Sequence, residues 1–64
     1  MFEDIFKGSI VDVYINNPEK PTFEGYKFIR QINAFICLEN PSNFNFICVN
    51  LNNVLAIQKA VTQE

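Results

Sequence analysis

Cys37 and Cys48 are the only thiols in a chain of 64 residues, and histidine is absent. Losing histidine removes the commonest general base and metal ligand. Two cysteines alone cannot complete a structural zinc site, which takes four Cys or His ligands. Two readings of the pair remain. They form a redox-switched disulfide, or they are two small apolar thiols kept reduced. The second is favoured here, so the cysteines are expected to be reduced and dispensable. The carboxylates are scattered. Asp12 and Glu24 could approach each other on neighbouring strands, but no spacing enforces it, and each reads as solvated. Gly8 and Gly25 are the only glycines, so no phosphate-cradling loop is present. The expectation is a protein that is not an enzyme and uses no metal or cofactor.

Asparagine is overused, at positions 16, 17, 33, 40, 43, 45, 50, 52 and 53. Most of these fall in predicted turns, where Asn satisfies backbone groups and tolerates left-handed conformations. Phe35, Phe44, Phe46 and Tyr14 are harder to place in a small core. Either a second small core under an N-terminal helix takes these rings, or they meet a partner or another copy of the chain.

The elements that position these residues centre on a hairpin. Asn40-Pro41-Ser42-Asn43 suits a type I turn, with Pro41 where its fixed φ fits. Centred near Ser42 and Asn43, the hairpin sets Leu38 against Ile47, Cys37 against Cys48 and Ile36 against Val49. Side chains alternate along a strand, so Ile36, Leu38, Ile47 and Val49 share one wholly aliphatic face. A slip of one residue would mix Glu39 and Asn50 into that face, which specifies the register.

Around the hairpin, Phe2, Ile5 and Phe6 fall at helical spacing and Gly8 follows, predicting one to two helical turns that lay three apolar groups on the core. Residues 9–16 alternate as a strand, with Val11, Val13 and Ile15 on one face. Residues 17–21 hold two prolines and read as a loop. Residues 22–31 form a second strand that Gly25 bends. Residues 31–33 turn into the hairpin, residues 50–53 make a tight polar corner, and residues 54–60 form a last strand. Residues 61–64 read as a frayed tail. The chain is thus expected to be one domain over residues 1–64, a mainly β, five-stranded closed or nearly closed barrel with a short N-terminal helix.

Composition sets further bounds. Apolar residues make up 48% of the chain, with seven Phe and two Tyr. A chain this short buries only about 60% of the surface its unfolded form exposes, and such domains often lean on oligomerisation. The net charge is −2 and the five cations do not cluster, which argues against nucleic-acid binding driven by basic surface. No apolar run approaches the roughly 20 residues a membrane span needs. With no secretory leader pattern either, a cytoplasmic location is expected.

The chain resembles an Sm-like barrel, the SH3-like five-stranded fold with an N-terminal helix. The likeness covers roughly residues 2–57. Its best local piece is Val49-Asn50-Leu51-Asn52-Asn53-Val54-Leu55-Ala56-Ile57, similar to the second Sm motif, in which Arg, Gly and Asn lead into a β-branched closing strand. Gly25 sits where the family bends its second strand, and Leu38 at the apolar end of the third. Gln31 stands in place of the usual Asp, Phe35 in place of the RNA-contacting Asn, and Asn50-Leu51 in place of Arg-Gly. The resemblance implies a ring of subunits joined between fourth and fifth strands. It also implies that Asn33, Asn50, Asn52 and Asn53, with Gln31, present polar groups toward a central opening.

Two functions follow as expectations. The first is a non-enzymatic assembly module that homo-oligomerises and binds a macromolecular partner through Phe35, Phe44, Phe46 and Tyr14. The alternative is a small-ligand sequestering or inhibitor protein of the kind phages encode. Its inter-subunit pocket would be lined by the asparagine amides, with Lys27 or Arg30 for the phosphate of a nucleotide signal. RNA binding ranks third.

Overall fold

A computed structural model describes the backbone of residues 2–60 and the side chains of residues 4–60. The predicted tail at 61–64 and the side chain of Phe2 lie outside the described residues. The elements run α1 (Phe2–Phe6), β1 (Ile10–Tyr14), β2 (Phe23–Ile32), β3 (Phe35–Glu39), β4 (Phe46–Asn50), a single 3-10 turn (Leu51–Asn53) and β5 (Ala56–Lys59). The fold is mainly β, as the alternation predicts, with five antiparallel strands in one sheet in the order β4-β3-β2-β1-β5.

The hairpin register is the predicted one: Leu38 pairs with Ile47, Cys37 with Cys48 and Ile36 with Val49. Ile36, Leu38 and Val49 are buried, and they join Val11, Val13, Phe28 and Phe6 in the core. Ile47 does not join them. It is 37% exposed, because β4 is an outer strand with no neighbour beyond it among the described residues and Ile47 sits toward its open end.

Two irregularities bend the sheet. Across β1 and β2 the register passes from Val11–Tyr26 to Val13–Phe23, so Glu24 and Gly25 together face Asp12. Gly25 takes φ +72° there, a conformation that glycine adopts without steric cost. Its N–H donates to Asp12 Oδ1 at 3.0 Å. Asp12 is therefore a structural acceptor at the bulge rather than a merely solvated carboxylate. Across β2 and β3 a second shift falls at Ile29, between the Phe28–Leu38 and Arg30–Cys37 pairs. Bulges add local twist, and here they wrap the sheet around its aliphatic face. The wrap stops short of closure, since β4 and β5 are the outer strands and do not pair with each other.

The helix contributes less than its spacing suggests. Phe6 is buried and packs on Phe28 with ring centroids 6.0 Å apart. Ile5 is 58% exposed. One helical turn is held by Gly8 N–H to Phe28 O and Ser9 N–H to Phe6 O, both 2.8 Å. These bonds aim Phe6 inward and leave Ile5 on the far side.

The cysteines also differ from expectation. The Cys37 and Cys48 sulfurs are joined as a disulfide across the directly opposed pair, with Cα atoms 4.1 Å apart. Directly opposed residues of an antiparallel pair approach to about 4.5–5.5 Å. The register that aligns the aliphatic face therefore also aligns the thiols on the reverse face. The reading of two independent, reduced thiols is corrected to a cross-strand cystine.

Candidate functional site

The reverse face of the hairpin carries three rows across β2, β3 and β4. They are Lys27–Glu39–Phe46, then Arg30–Cys37–Cys48, then Ile32–Phe35–Asn50. Phe35 and Phe46 share this face and are 45% and 67% exposed. The cystine row separates them by about 13 Å along the strands. Tyr14 lies two strands away on β1, where its hydroxyl accepts a hydrogen bond from Gln58 Nε2 at 3.1 Å. The rings singled out from the sequence are thus not gathered in one patch: Phe44 and Phe46 lie at the β3–β4 tip, Phe35 at the other end of the hairpin and Tyr14 on β1.

The polar residues implied by the Sm-like resemblance collect in part. Asn33 and Ala34 make the tight turn between β2 and β3, with Asn33 at φ 54°, which Asn tolerates. Leu51 N–H donates to Ala34 O at 2.7 Å, which brings the 3-10 turn and its Asn50, Asn52 and Asn53 against the Asn33 turn. Two members are already used locally. Asn50 Oδ1 caps the 3-10 turn through Asn52 N–H at 2.8 Å, and the Asn33 carbonyl accepts Gln31 Nε2 at 3.0 Å. Arg30 is exposed one strand row away, opposite Cys37. Lys27 stands opposite Glu39, roughly 20 Å along β2 from Asn33, and is not part of this end.

A second polar cluster lies at the other end of the hairpin. A cavity of about 250 Å³ is lined by Tyr26, Asn40, Asn43, Asn45, Phe46 and Ile47. The loop that forms it is tied down at four points. Asn40 N–H donates to Asn45 O at 2.9 Å and Phe44 N–H to Asn40 O at 2.6 Å. Asn40 Oδ1 accepts Ser42 N–H at 2.9 Å, and Asn43 Oδ1 accepts Asn45 N–H at 3.0 Å. The i-to-i+4 closure at Phe44 makes the turn one residue longer than the predicted type I turn. Asn40 Nδ2 then reaches across to Tyr26 Oη at 3.2 Å, fixing the loop to β2. Tyr26 is held in turn by an edge-on contact with Phe23, at 5.3 Å between centroids.

Sequence reasoning placed none of this cavity. Its signal was present in the spacing Asn40, Asn43, Asn45, with Phe44 and Phe46 interleaved. Among the described residues, no three His, Cys, Asp or Glu side chains gather to hold a metal ion, and no helix is long and apolar enough to cross a membrane. No protein-family model, curated protein or solved structure matches the chain.

Proposed function

We propose that the chain is a non-enzymatic assembly module of Sm-like type that pairs with copies of itself and binds a macromolecular partner. The observation that carries this reading is the pair of open sheet margins, β4 on one side and β5 on the other. An unpaired strand margin presents a row of free N–H and C=O groups and is a template for another strand. β4 of one copy against β5 of the next would cover both margins at once. Phe46 on β4 and Leu55 just before β5 are exposed and would supply apolar area along that seam. The short helix, the five antiparallel strands and the marginal positions of β4 and β5 are what the Sm-like resemblance implies.

Sedimentation across a concentration series tests this. Assemblies larger than the 7.4 kDa chain are expected, and Phe46→Glu should dissociate them, because an unpaired carboxylate is costly to bury. A single species of chain mass at every concentration would overturn the reading.

A further inference from the structure

We infer that the cavity at the β3–β4 tip is a binding site for an adenine ring, formed within one copy of the chain and separate from the Asn33 and Asn50–Asn53 end. The inference does not require the assembly reading, although both use Phe46.

The cavity offers an unequal set of polar groups. Two of its three asparagine oxygens already accept one bond each within the loop, Asn40 Oδ1 from Ser42 and Asn43 Oδ1 from Asn45, and each keeps one lone pair. Tyr26 Oη already accepts from Asn40, so its own proton is left to donate. Asn43 Nδ2 also remains to donate. The Asn45 side chain makes no hydrogen bond among the described residues and presents a donor and an acceptor side by side. The lining therefore holds one wholly unengaged amide, that of Asn45, amid several donors, and no charged group. Adenine carries one amino donor and three ring-nitrogen acceptors, the complementary set. An asparagine amide pairs with adenine through its amino group and N7. Guanine presents two adjacent donors, N1–H and its amino group, which the donor–acceptor pair of a single amide does not match. The volume of about 250 Å³ lies below the 300–1,000 Å³ usual for larger ligands, which suits one ring system.

Two aromatic residues support the same chemistry. Phe46 is among the residues that line the cavity and is 67% exposed, and Phe44 in the same loop is 71% exposed. Phe44 sits at φ 61°, where glycine or asparagine is the usual occupant and a bulky side chain is rare. A loop fixed by four hydrogen bonds holds this ring out in solvent at a conformational cost, and such outliers cluster at binding sites. Exposed rings are platforms on which bases stack.

The base could come from a free nucleoside or nucleotide, or from an unpaired strand. Titration of the 15N-labelled protein with adenosine, guanosine, uridine, AMP and a short oligoadenylate separates these. Adenosine is expected to shift the backbone signals of residues 40–47 and Tyr26, and to bind at least about 5-fold tighter than guanosine or uridine. Asn45→Ala should weaken it about 5- to 150-fold with the rest of the spectrum unchanged, because the Asn45 side chain holds nothing in the fold. Tyr26→Phe, which keeps the ring against Phe23, should weaken it less. AMP should bind no tighter than adenosine. An oligoadenylate matching adenosine per base identifies a free ligand, and one far tighter with a steep salt dependence identifies a strand; both support the base site. No shifts at millimolar adenosine, equal shifts with all three nucleosides, or shifts confined to Asn33 and Asn50–Asn53 would each overturn the inference.

Discussion

At the scale of single residues, burial separates positions that the sequence treats alike. Ile36 and Ile47 both lie on the aliphatic face of the hairpin, yet Ile36 is fully buried and Ile47 is 37% exposed. Ile36→Ala should cost about 2–5 kcal/mol, the range for a buried truncation that leaves a cavity, and Ile47→Ala no more than about half of that. Denaturant titrations of the two variants decide it, and equal losses would show that β4 is covered in solution. Phe44 gives the opposite kind of case. An L-residue in the left-handed region costs about 1–2 kcal/mol, and replacing it with glycine gives back roughly 0.5–1 kcal/mol through the freer unfolded chain. Phe44→Gly should therefore leave stability unchanged or raise it by up to about 1.5 kcal/mol, despite deleting a large apolar ring. A clear loss in the same titration would mean that the ring packs on something.

At the scale of elements, the β3–β4 hairpin is the best-specified part of the molecule, and one register sets both of its faces. The aliphatic face was legible in the sequence because only that pairing keeps Glu39 and Asn50 out of it. The disulfide follows from the same pairing, which put Cys37 and Cys48 opposite each other. What the sequence misjudged was the chemistry of the pair, since redox state depends on surroundings that residue spacing does not carry. The bond closes a loop with a sequence separation of 11, for which chain entropy predicts about 3 kcal/mol of stabilisation. The turn already restricts that loop, so a smaller effect is expected. Reduction should lower the unfolding midpoint and expose two thiols to alkylation, as mass spectrometry would show. The double change Cys37→Ala with Cys48→Ala should match the reduced protein. The cavity was illegible for a different reason. Each of its asparagines reads as turn chemistry by itself, and Tyr26 stands opposite Asn40 only through the register that the shift at Ile29 sets, one residue beyond the Lys27–Glu39 pair. The helix was legible in its span and not in its packing. Helical spacing places Ile5 and Phe6 on one side, whereas a single turn leaves room for only Phe6 against Phe28.

At the scale of the whole molecule, size decides how far the fold can stand without a partner. The chain exposes 4495 Å², against about 10,700 Å² for an unfolded chain of its mass, so folding removes roughly six tenths of the surface. Among the described residues, seven make up the core cluster of buried side chains. A core of that size leaves little margin over conformational entropy, as in other chains of this length. The disulfide offsets part of this by restricting the unfolded state. If copies pair through the margins at β4 and β5, as proposed, association stabilises the folded state further by mass action, provided only folded chains associate. Stability should then depend on protein concentration. For a pairing coupled to folding, each tenfold rise in concentration adds about 1.4 kcal/mol per mole of interface formed. Thermal melts at several concentrations should show a rising midpoint for the native chain. Phe46→Glu should abolish that trend and bring every midpoint down to the low-concentration value, without altering the Cys37–Cys48 pairing. A native midpoint that stays constant across a hundredfold range of concentration would mean that β4 and β5 remain open in solution, and that the hairpin and its disulfide hold the sheet without a second copy.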